Sequence, residues 1–168
     1  MGEKKLSLHV SFRVHGMAAA IIHRQEATSM SGLPFPTLVT LSDTNLTLKD
    51  PSQDVRNHKV IDKDGDDVGH VKDLLIDEDT RQVRFLLVAS GGFLGIGEHS
   101  VMIPAESIIH TGDKTVQVSF SRHHIAQGPV FDADRTGHES FWADAYGHYE
   151  SIPFWAPGYR PPTRPGER

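Results

Sequence analysis

Apolar and polar residues alternate along the middle of the chain with the period of two that is typical of β-strands. In the segment VRFLLVAS, alternation predicts two faces, one with Val83, Phe85, Leu87 and Ala89 and the other with Arg84, Leu86, Val88 and Ser90. Because the side chains of a strand point alternately to its two faces, both faces of this strand are largely apolar. The pattern predicts a central strand that is buried on both sides.

Shorter apolar runs flank this strand and are separated from one another by turn residues. They recur roughly every 8–15 residues, which is the spacing of a small closed or nearly closed β-barrel. One short helix is predicted in SRHHIAQG, where Ser121 is a suitable N-cap and Gly128 a suitable end. The predicted fold class is therefore mainly β, a small barrel with one short helix over residues 52–132. The flanking strands are predicted at Val60-Ile61, Val68 to Val71, Leu74 to Ile76, Val101 to Ile103 and Val116 to Phe120.

The residues before the barrel, 1–51, carry a weaker pattern and predict an extended N-terminal arm. Its connector GLPFP, residues 32–36, is stiffened by proline. After the connector, TLVTLSDTNLTL contains two β-prone arms around Ser42 to Asn45, and this arrangement predicts a hairpin. A mobile leader is the alternative for this part of the chain.

The residues after the barrel, 133–168, combine aromatic side chains with Gly, His and Pro. This composition predicts an extended or polyproline-like tail. Aromatic side chains in extended segments bind well, because they contribute a large contact area at a small entropic cost. We predict that the tail docks onto a protein partner or a second copy, and the alternative is that it packs back onto its own barrel. The candidates for partner contact are Phe141, Trp142, Tyr146, Tyr149, Phe154, Trp155 and Tyr159.

The stretch GGFLGIGEHSVMIP is rich in glycine, which raises the question of a phosphate-binding loop. A P-loop needs Lys and Ser or Thr entering a helix, and a dinucleotide fingerprint needs a strand–turn–helix unit. Here Gly91 and Gly92 follow one predicted strand, and Gly95 and Gly97 precede another. Glycine suits the corner of a barrel, because positive φ costs it nothing. The stretch predicts a barrel hairpin, and its apolar side chains are further candidates for partner docking, namely Phe93, Leu94 and Ile96.

Net charge and composition limit the classes of partner that the chain can bind and indicate its cellular compartment. The 168-residue chain has a formal net charge of -5, which argues against a nucleic-acid partner, because neutralising phosphates requires a concentrated basic surface. It contains no Cys, so disulfides, thiolate catalysis and cysteine zinc sites are excluded. The most apolar early run, MAAAII, is too short to span a bilayer, and Arg13 and His23 interrupt any signal-peptide core. We expect a cytoplasmic protein without a transmembrane segment of its own.

The acidic run DKDGDD is the strongest metal-like motif. Asp62, Asp64 and Asp66 stand at alternate positions, as in a calcium loop, but the glycine falls two places early and no helices flank the run. A tight turn uses Asp and Gly for steric reasons alone. His123 and His124 are adjacent, so on a helix they point about 100° apart and cannot chelate one ion together. We predict no bound metal, with a calcium-responsive module at the three aspartates as the alternative.

No arrangement of residues predicts catalysis. The chain has no Gly-x-Ser-x-Gly elbow, and no nucleophile is tied by spacing to a His and an acid. Barrels of this size also fill their interior with side chains and leave no deep pocket. We expect no enzymatic activity, no catalytic residues and no directly bound cofactor.

The predicted barrel resembles the PRC-barrel family, which is named after the cytoplasmic part of the photosynthetic reaction-centre H subunit. The resemblance rests on GHVKDLLID, the strand VRFLLV, the GGFLGIG hairpin, the pair Ile103-Pro104 and GPVFD at residues 128–132. It runs from Asp54 to Asp132, and the order of the motifs is specific. The resemblance implies a PRC-type β-barrel that acts as an interaction module rather than as an enzyme.

By this resemblance we expect a non-enzymatic assembly or stabilising subunit. The most concrete form is an H-like subunit, docked from the cytoplasm on the quinone side of a membrane-embedded photosynthetic reaction centre. Residues 34–51 resemble the proline-flanked segment before the barrel of H subunits, although the membrane helix of an H subunit is absent. The ribosome-maturation members need another complete barrel ahead of this one. The alternative is a free-standing adaptor, a homodimer with an unknown or stress-related partner.

Overall fold

The computed structural model describes residues 36–89 and 99–161. Within these ranges the chain forms seven strands, two α-helices and four short 3-10 helices. The strands are β1 (Leu38–Thr40), β2 (Lys59–Ile61), β3 (Asp67–Asp77), β4 (Val83–Ala89), β5 (Ser100–Pro104), β6 (Ile108–Thr111) and β7 (Thr115–Val118). The α-helices are α1 (Arg122–Ala126) and α2 (Glu139–His148), and the 3-10 helices are Leu41–Asp43, Pro51–Gln53, Ala105–Ser107 and Ala133–Arg135.

The strands form one sheet in the order β5-β4-β3-β2-β7-β6, and β1 pairs with β3 off this path. Strands β2 and β7 run parallel, and the other pairs are antiparallel. Strand β3 pairs with β1, β2 and β4 and so organises the sheet. No ladder between described residues joins β5 to β6, so the sheet is not a closed barrel there. The predicted mainly β, PRC-type fold is confirmed.

One face of the sheet packs around an apolar core. Strand β4 is buried from Arg84 to Val88, which confirms the prediction that it is central and buried on both faces. Helix α1 adds Ile125 to the core, and its N-cap is the predicted Ser121, whose side chain accepts a hydrogen bond from the N–H of His124. The inner core is made of Leu41, Leu48, Val55, Val60, Val68, Val71, Leu74, Ile76, Leu86, Val88, Val101, Ile103, Val116, Val118, Ile125 and Tyr149.

A β-bulge in β4 redirects one charged side chain. The ladder between β3 and β4 shifts register so that Arg84 has no opposite residue, and such an extra residue interrupts the alternation of side chains. Val83 and Leu86 pack with the inner core, whereas Arg84 and Phe85 contact the C-terminal segment. The strict alternation predicted from the sequence, with Arg84 on the face of Leu86, is therefore wrong at this point.

The hairpin predicted for TLVTLSDTNLTL does not form. Strand β1 pairs with β3 instead, with Leu38 opposite Asp77, and the chain then turns through the 3-10 helix that begins at Leu41. Leu41 and Leu48 are buried in the inner core. An isolated two-stranded hairpin is marginal in water, whereas the edge of β3 offers a partner that completes the core.

The extended tail predicted after residue 132 is wrong over α2, which is a regular helix of ten residues. Its buried positions are Phe141, Trp142, Ala145 and Tyr146, and this spacing repeats with the period of one helical face. Strand β6 was not predicted. Residues 1–35 and the glycine-rich segment predicted to form a hairpin, with Phe93, Leu94 and Ile96, lie outside the described residues. The predictions made for these segments, and the domain boundaries near 51 and 132, stay predictions.

Candidate functional site

Helix α2 covers the outer face of the sheet, on the side opposite the inner core. The ring of Phe85 lies 5.7 Å from that of Trp142 and 4.7 Å from that of Tyr146, measured between centroids. All three side chains are fully buried. The indole N–H of Trp142 donates a hydrogen bond to the backbone oxygen of Thr136 at 2.9 Å, which ties the start of the helix to the preceding turn. The C-terminal helix is therefore part of the folded unit.

The aromatic residues predicted to contact a partner divide into two groups. Phe141, Trp142, Tyr146 and Tyr149 are at most 3% exposed, so in this conformation they contact their own chain and offer no surface for docking. These four side chains pack back onto their own barrel, which was the alternative to docking onto a partner, and they bury large apolar areas together. The other three are half-buried, namely Phe154, Trp155 and Tyr159.

Arg84 fixes the segment after α2 to the sheet. Its guanidinium lies 4.1 Å from the centroid of the Phe154 ring, a cation–π contact. The same group donates to the hydroxyl of Tyr159 at 3.2 Å and to the carboxylate of Asp77 at 3.3 Å. Arg84 and Asp77 are 6% and 4% exposed. Burial alone would raise the pKa of Asp77, but hydrogen bonds from Thr80 and Arg84 outweigh burial and lower it.

Glu106 closes this network from the other side. The hydroxyl of Tyr159 donates to its Oε1 at 2.7 Å, whereas Oε2 is buried without a hydrogen-bond partner among the described residues. Burial raises the pKa of Glu106, and the Tyr159 hydroxyl and the Arg84 charge offset this only in part. Burial also raises the pKa of Tyr159. We call Arg84, Asp77, Glu106 and Tyr159 the tail clasp, because together they hold the C-terminal segment against the sheet.

A pair of stacked histidines joins α1 to the end of α2. The rings of His124 and His148 lie 4.4 Å apart between centroids and are tilted by 20°. Nε2 of each ring lies 3.1 Å and 3.0 Å, respectively, from the backbone oxygen of the other residue. A carbonyl oxygen only accepts, so each Nε2 must carry the hydrogen. His123 is exposed, as predicted, but the sequence analysis missed this contact of His124.

Of the three aspartates proposed as calcium ligands, Asp62 and Asp64 each contact groups of the protein itself. Asp62 is 2% exposed, and its carboxylate accepts hydrogen bonds from the backbone N–H groups of Asp64, Asp66 and Arg122 at 2.8–2.9 Å. Burial would raise the pKa of Asp62, but these hydrogen bonds outweigh burial and lower it. Asp64 pairs with the ammonium of Lys63 at 2.6 Å. Within residues 36–89 and 99–161, no three His, Asp or Glu side chains are placed to hold one ion.

An open cleft of about 560 Å³ lies between the segment after α1 and helix α2. Its floor is apolar and includes Val130, Phe131 and Phe141, and its rim carries Asp132, Arg135, Asp144 and His99. Phe141 is the only lining residue that was predicted from the sequence to contact a partner, because the cleft exists only once α2 has packed beside the segment 129–133. We call this feature the Val130 cleft.

Comparison with known families identifies the barrel. The family model described as the PRC-barrel domain matches residues 51–124, which run from just before β2 to the middle of α1. A search of curated proteins found no match. Within residues 36–89 and 99–161 there is no helix with the length and apolarity needed to cross a membrane. PRC-barrel domains are generally non-catalytic β domains. Residues 51–124 of this chain are therefore a PRC-barrel domain.

Proposed function

We propose that this chain is a non-enzymatic assembly or stabilising subunit that acts by binding a protein partner. The observation that supports this proposal is that the tail clasp has a structural role. Its buried charges are engaged in holding the C-terminal segment on the sheet, with Arg84 bonded to Asp77 and Tyr159. These groups serve the architecture, which gives the PRC-barrel a rigid outer layer on which a partner can dock.

The more specific form of the proposal is an H-like subunit on the quinone side of a photosynthetic reaction centre, contacted from the cytoplasm. Its support is the family resemblance of the barrel and of residues 34–51, and it adds no cofactor to this chain. In this form, acidic and histidine side chains on the surface buffer protons near the reduced quinone.

The second candidate is a free-standing adaptor that works alone or as a homodimer. One observation favours it over the reaction-centre form. The aromatic tail that was expected to anchor the chain to a larger complex is largely engaged with its own barrel, since Trp142 and Tyr146 are fully buried. A barrel that covers its own outer face needs no second chain to complete its core.

The experiment that tests the proposal is affinity purification of the tagged chain from its native organism after gentle solubilisation of the membranes. Co-migration with a pigmented complex supports the reaction-centre form. Co-purification of a non-pigmented protein in a fixed ratio supports the adaptor. A chain that is recovered only by itself as a monomer contradicts the proposal.

Deletion of the tail is unsuitable as the control in that purification. Removing residues 133–168 would expose Phe85, which is fully buried under α2, so loss of a partner would be confused with loss of folding. Point variants at exposed positions are the appropriate controls. Ile109 and Ile152 are 46% and 53% exposed, and Ile→Asp at either position changes the surface with little effect on the core.

A further inference from the structure

Residues 129–131, in the segment after α1, pair with the edge of β5 through a short bridge, and no described strand lies beyond them. The N–H of Met102 donates to the backbone oxygen of Pro129 at 2.9 Å, and the N–H of Phe131 donates to that of Ser100 at 2.8 Å. Val101 and Val130 form an antiparallel bridge between these bonds. In such a pair the flanking residues make the hydrogen bonds, so the N–H and C=O of Val130 point away from β5.

The outward groups of Val130 have no hydrogen-bond partner among the described residues, and its side chain is 41% exposed. An unpaired backbone edge of this kind is a template for a further strand from another chain. Extended peptides add to such edges, where main-chain hydrogen bonds give affinity and neighbouring pockets give specificity.

The Val130 cleft supplies such a pocket directly beside the edge. Phe131 and Phe141 line its floor, and Phe141 belongs to α2, which is fixed by its buried face. The guanidinium of Arg135 lies 4.8 Å from the centroid of the Phe141 ring, so this cation is held over an aromatic face. The apolar surface that remains open in the cleft is that of the exposed Val130 and the half-buried Phe131, and it can accept one apolar side chain of an added strand.

The rim of the cleft has an excess of negative charge. Asp132 and Asp144 line it together with the single Arg135. The carboxylate of Asp144 makes no ion pair with another described residue. The exposed residues Asp134 and Glu139 stand in the adjoining turn and in the first turn of α2. A partner segment that carries Lys or Arg next to its apolar anchor would complement this rim.

We propose that the Val130 cleft binds an extended segment of a protein partner that alternates basic and apolar residues. The segment pairs with the backbone of Val130, places an apolar side chain on Phe131, and directs a Lys or Arg toward Asp144. This inference rests on the proposed function, since it identifies the surface and the chemistry by which the subunit would hold its partner.

The test uses the full chain and two short synthetic peptides, one of alternating lysine and valine and one of alternating glutamate and valine. Binding is measured by fluorescence anisotropy, and the contact is located by NMR and by hydrogen exchange at the amide of Val130. We expect the lysine peptide to bind, to slow exchange at the Val130 amide and to shift the resonances of Phe131. The glutamate peptide should bind at least about tenfold more weakly, because it places like charges on the acidic rim.

Three variants test which residues are responsible for peptide binding. Val130→Asp should abolish binding of the lysine peptide, and Asp144→Lys should weaken it about tenfold. The matched control is Ile109→Asp on β6, which makes the same chemical change at a position that is 46% exposed and should bind as the unmodified chain does. Melting curves check that all three variants remain folded.

Several results would overturn the inference: no binding of the lysine peptide, equal binding of both peptides, an unchanged Val130 amide, or equal loss in the Ile109→Asp control. Its failure can be told apart from failure of the proposed function. If the native partner co-purifies equally with Val130→Asp and with the unmodified chain, the cleft is not the docking surface and the proposed function stands. If no partner co-purifies with any form of the chain, the proposed function itself fails.

Discussion

Gly128 lies where the end of α2 meets the barrel, and replacing it with Ala tests that packing. A Cβ at this position would lie 2.4 Å from the hydroxyl oxygen of Tyr149, 2.9 Å from the backbone oxygen of Ile125 and 3.0 Å from Cγ1 of Val101. The first contact is with a buried ring and the second is with backbone, so neither can move away easily. Overpacking of this kind costs about 1–3 kcal/mol of unfolding free energy.

The assay is guanidinium denaturation followed by tryptophan fluorescence, which reports on Trp142 at the interface with the sheet and on Trp155 in the segment after α2. Gly137→Ala is the matched control, because a Cβ at Gly137 would meet nothing within 4 Å. We expect the control to change the unfolding free energy by less than about 0.5 kcal/mol. The slope with denaturant should stay the same in both variants, since the same surface is exposed on unfolding.

A double variant identifies the contact responsible. The hydroxyl of Tyr149 has no hydrogen-bond partner among the described residues, so Tyr149→Phe alone should cost little. It removes the atom with the shortest contact, and in Gly128→Ala/Tyr149→Phe we expect recovery of part of the lost stability, with a coupling of at least about 0.5 kcal/mol. If Gly128→Ala is as stable as Gly137→Ala, or if the double variant recovers nothing, the packing of α2 described above is incorrect.

Three further predictions concern single side chains. Asp62→Asn should lower the unfolding free energy by about 1–3 kcal/mol near neutral pH, because the carboxylate accepts three partly buried hydrogen bonds from backbone N–H groups. The pKa of Asp62 is lowered in the folded state, so this stabilisation is present above the unfolded pKa and is lost as pH falls through the folded pKa. The difference in urea midpoints between wild type and variant should therefore become smaller in acid. Glu106→Gln should show the opposite dependence of stability on pH. Because the pKa of Glu106 is raised in the folded state, folding favours the protonated form, and wild-type stability falls as pH rises from near 4.5 through the folded pKa. The variant should lack this decline when melting temperatures are measured as a function of pH. Trp142→Ala should cost about 3–5 kcal/mol by calorimetry, since it empties a fully buried site against Phe85; a loss under about 1 kcal/mol would mean that α2 is not part of the core.

The strands of the barrel could be predicted because their apolar residues recur with a simple local period. Strand β4 and the cap at Ser121 are examples, since both signals lie within a few consecutive residues. Strand β6 was missed because, from Ile108 onward, its residues are mostly exposed and carry no apolar alternation. The bulge at Arg84 could not be predicted either, because it depends on the register between two strands.

Helix α2 was missed because composition was weighed above spacing. Gly, His and aromatic residues suggested an extended tail, yet Phe141, Trp142, Ala145 and Tyr146 repeat on one helical face. The spacing of these residues therefore predicts the helix, whereas the composition alone does not.

The stacked histidines and the Val130 cleft both depend on tertiary structure. The stacked histidines are 24 residues apart in sequence, and the Val130 cleft brings Val130 beside Asp144 across a turn. Nothing local marks either of them. The family resemblance supplied the barrel, but of the residues that line the cleft only His99 lies within the matched residues 51–124, so the family alone does not describe it.

The most direct test of the central claim, that this PRC-barrel chain acts by binding a protein partner, is photo-crosslinking in living cells of the native organism. A photoreactive residue is placed at Val130 in the tagged chain, and in a parallel strain at Ile109, and the products are identified by mass spectrometry. We expect one defined protein crosslinked from Val130, at a basic and apolar extended segment, and little product from Ile109. Recovery of the chain as an uncrosslinked monomer from both positions would contradict it.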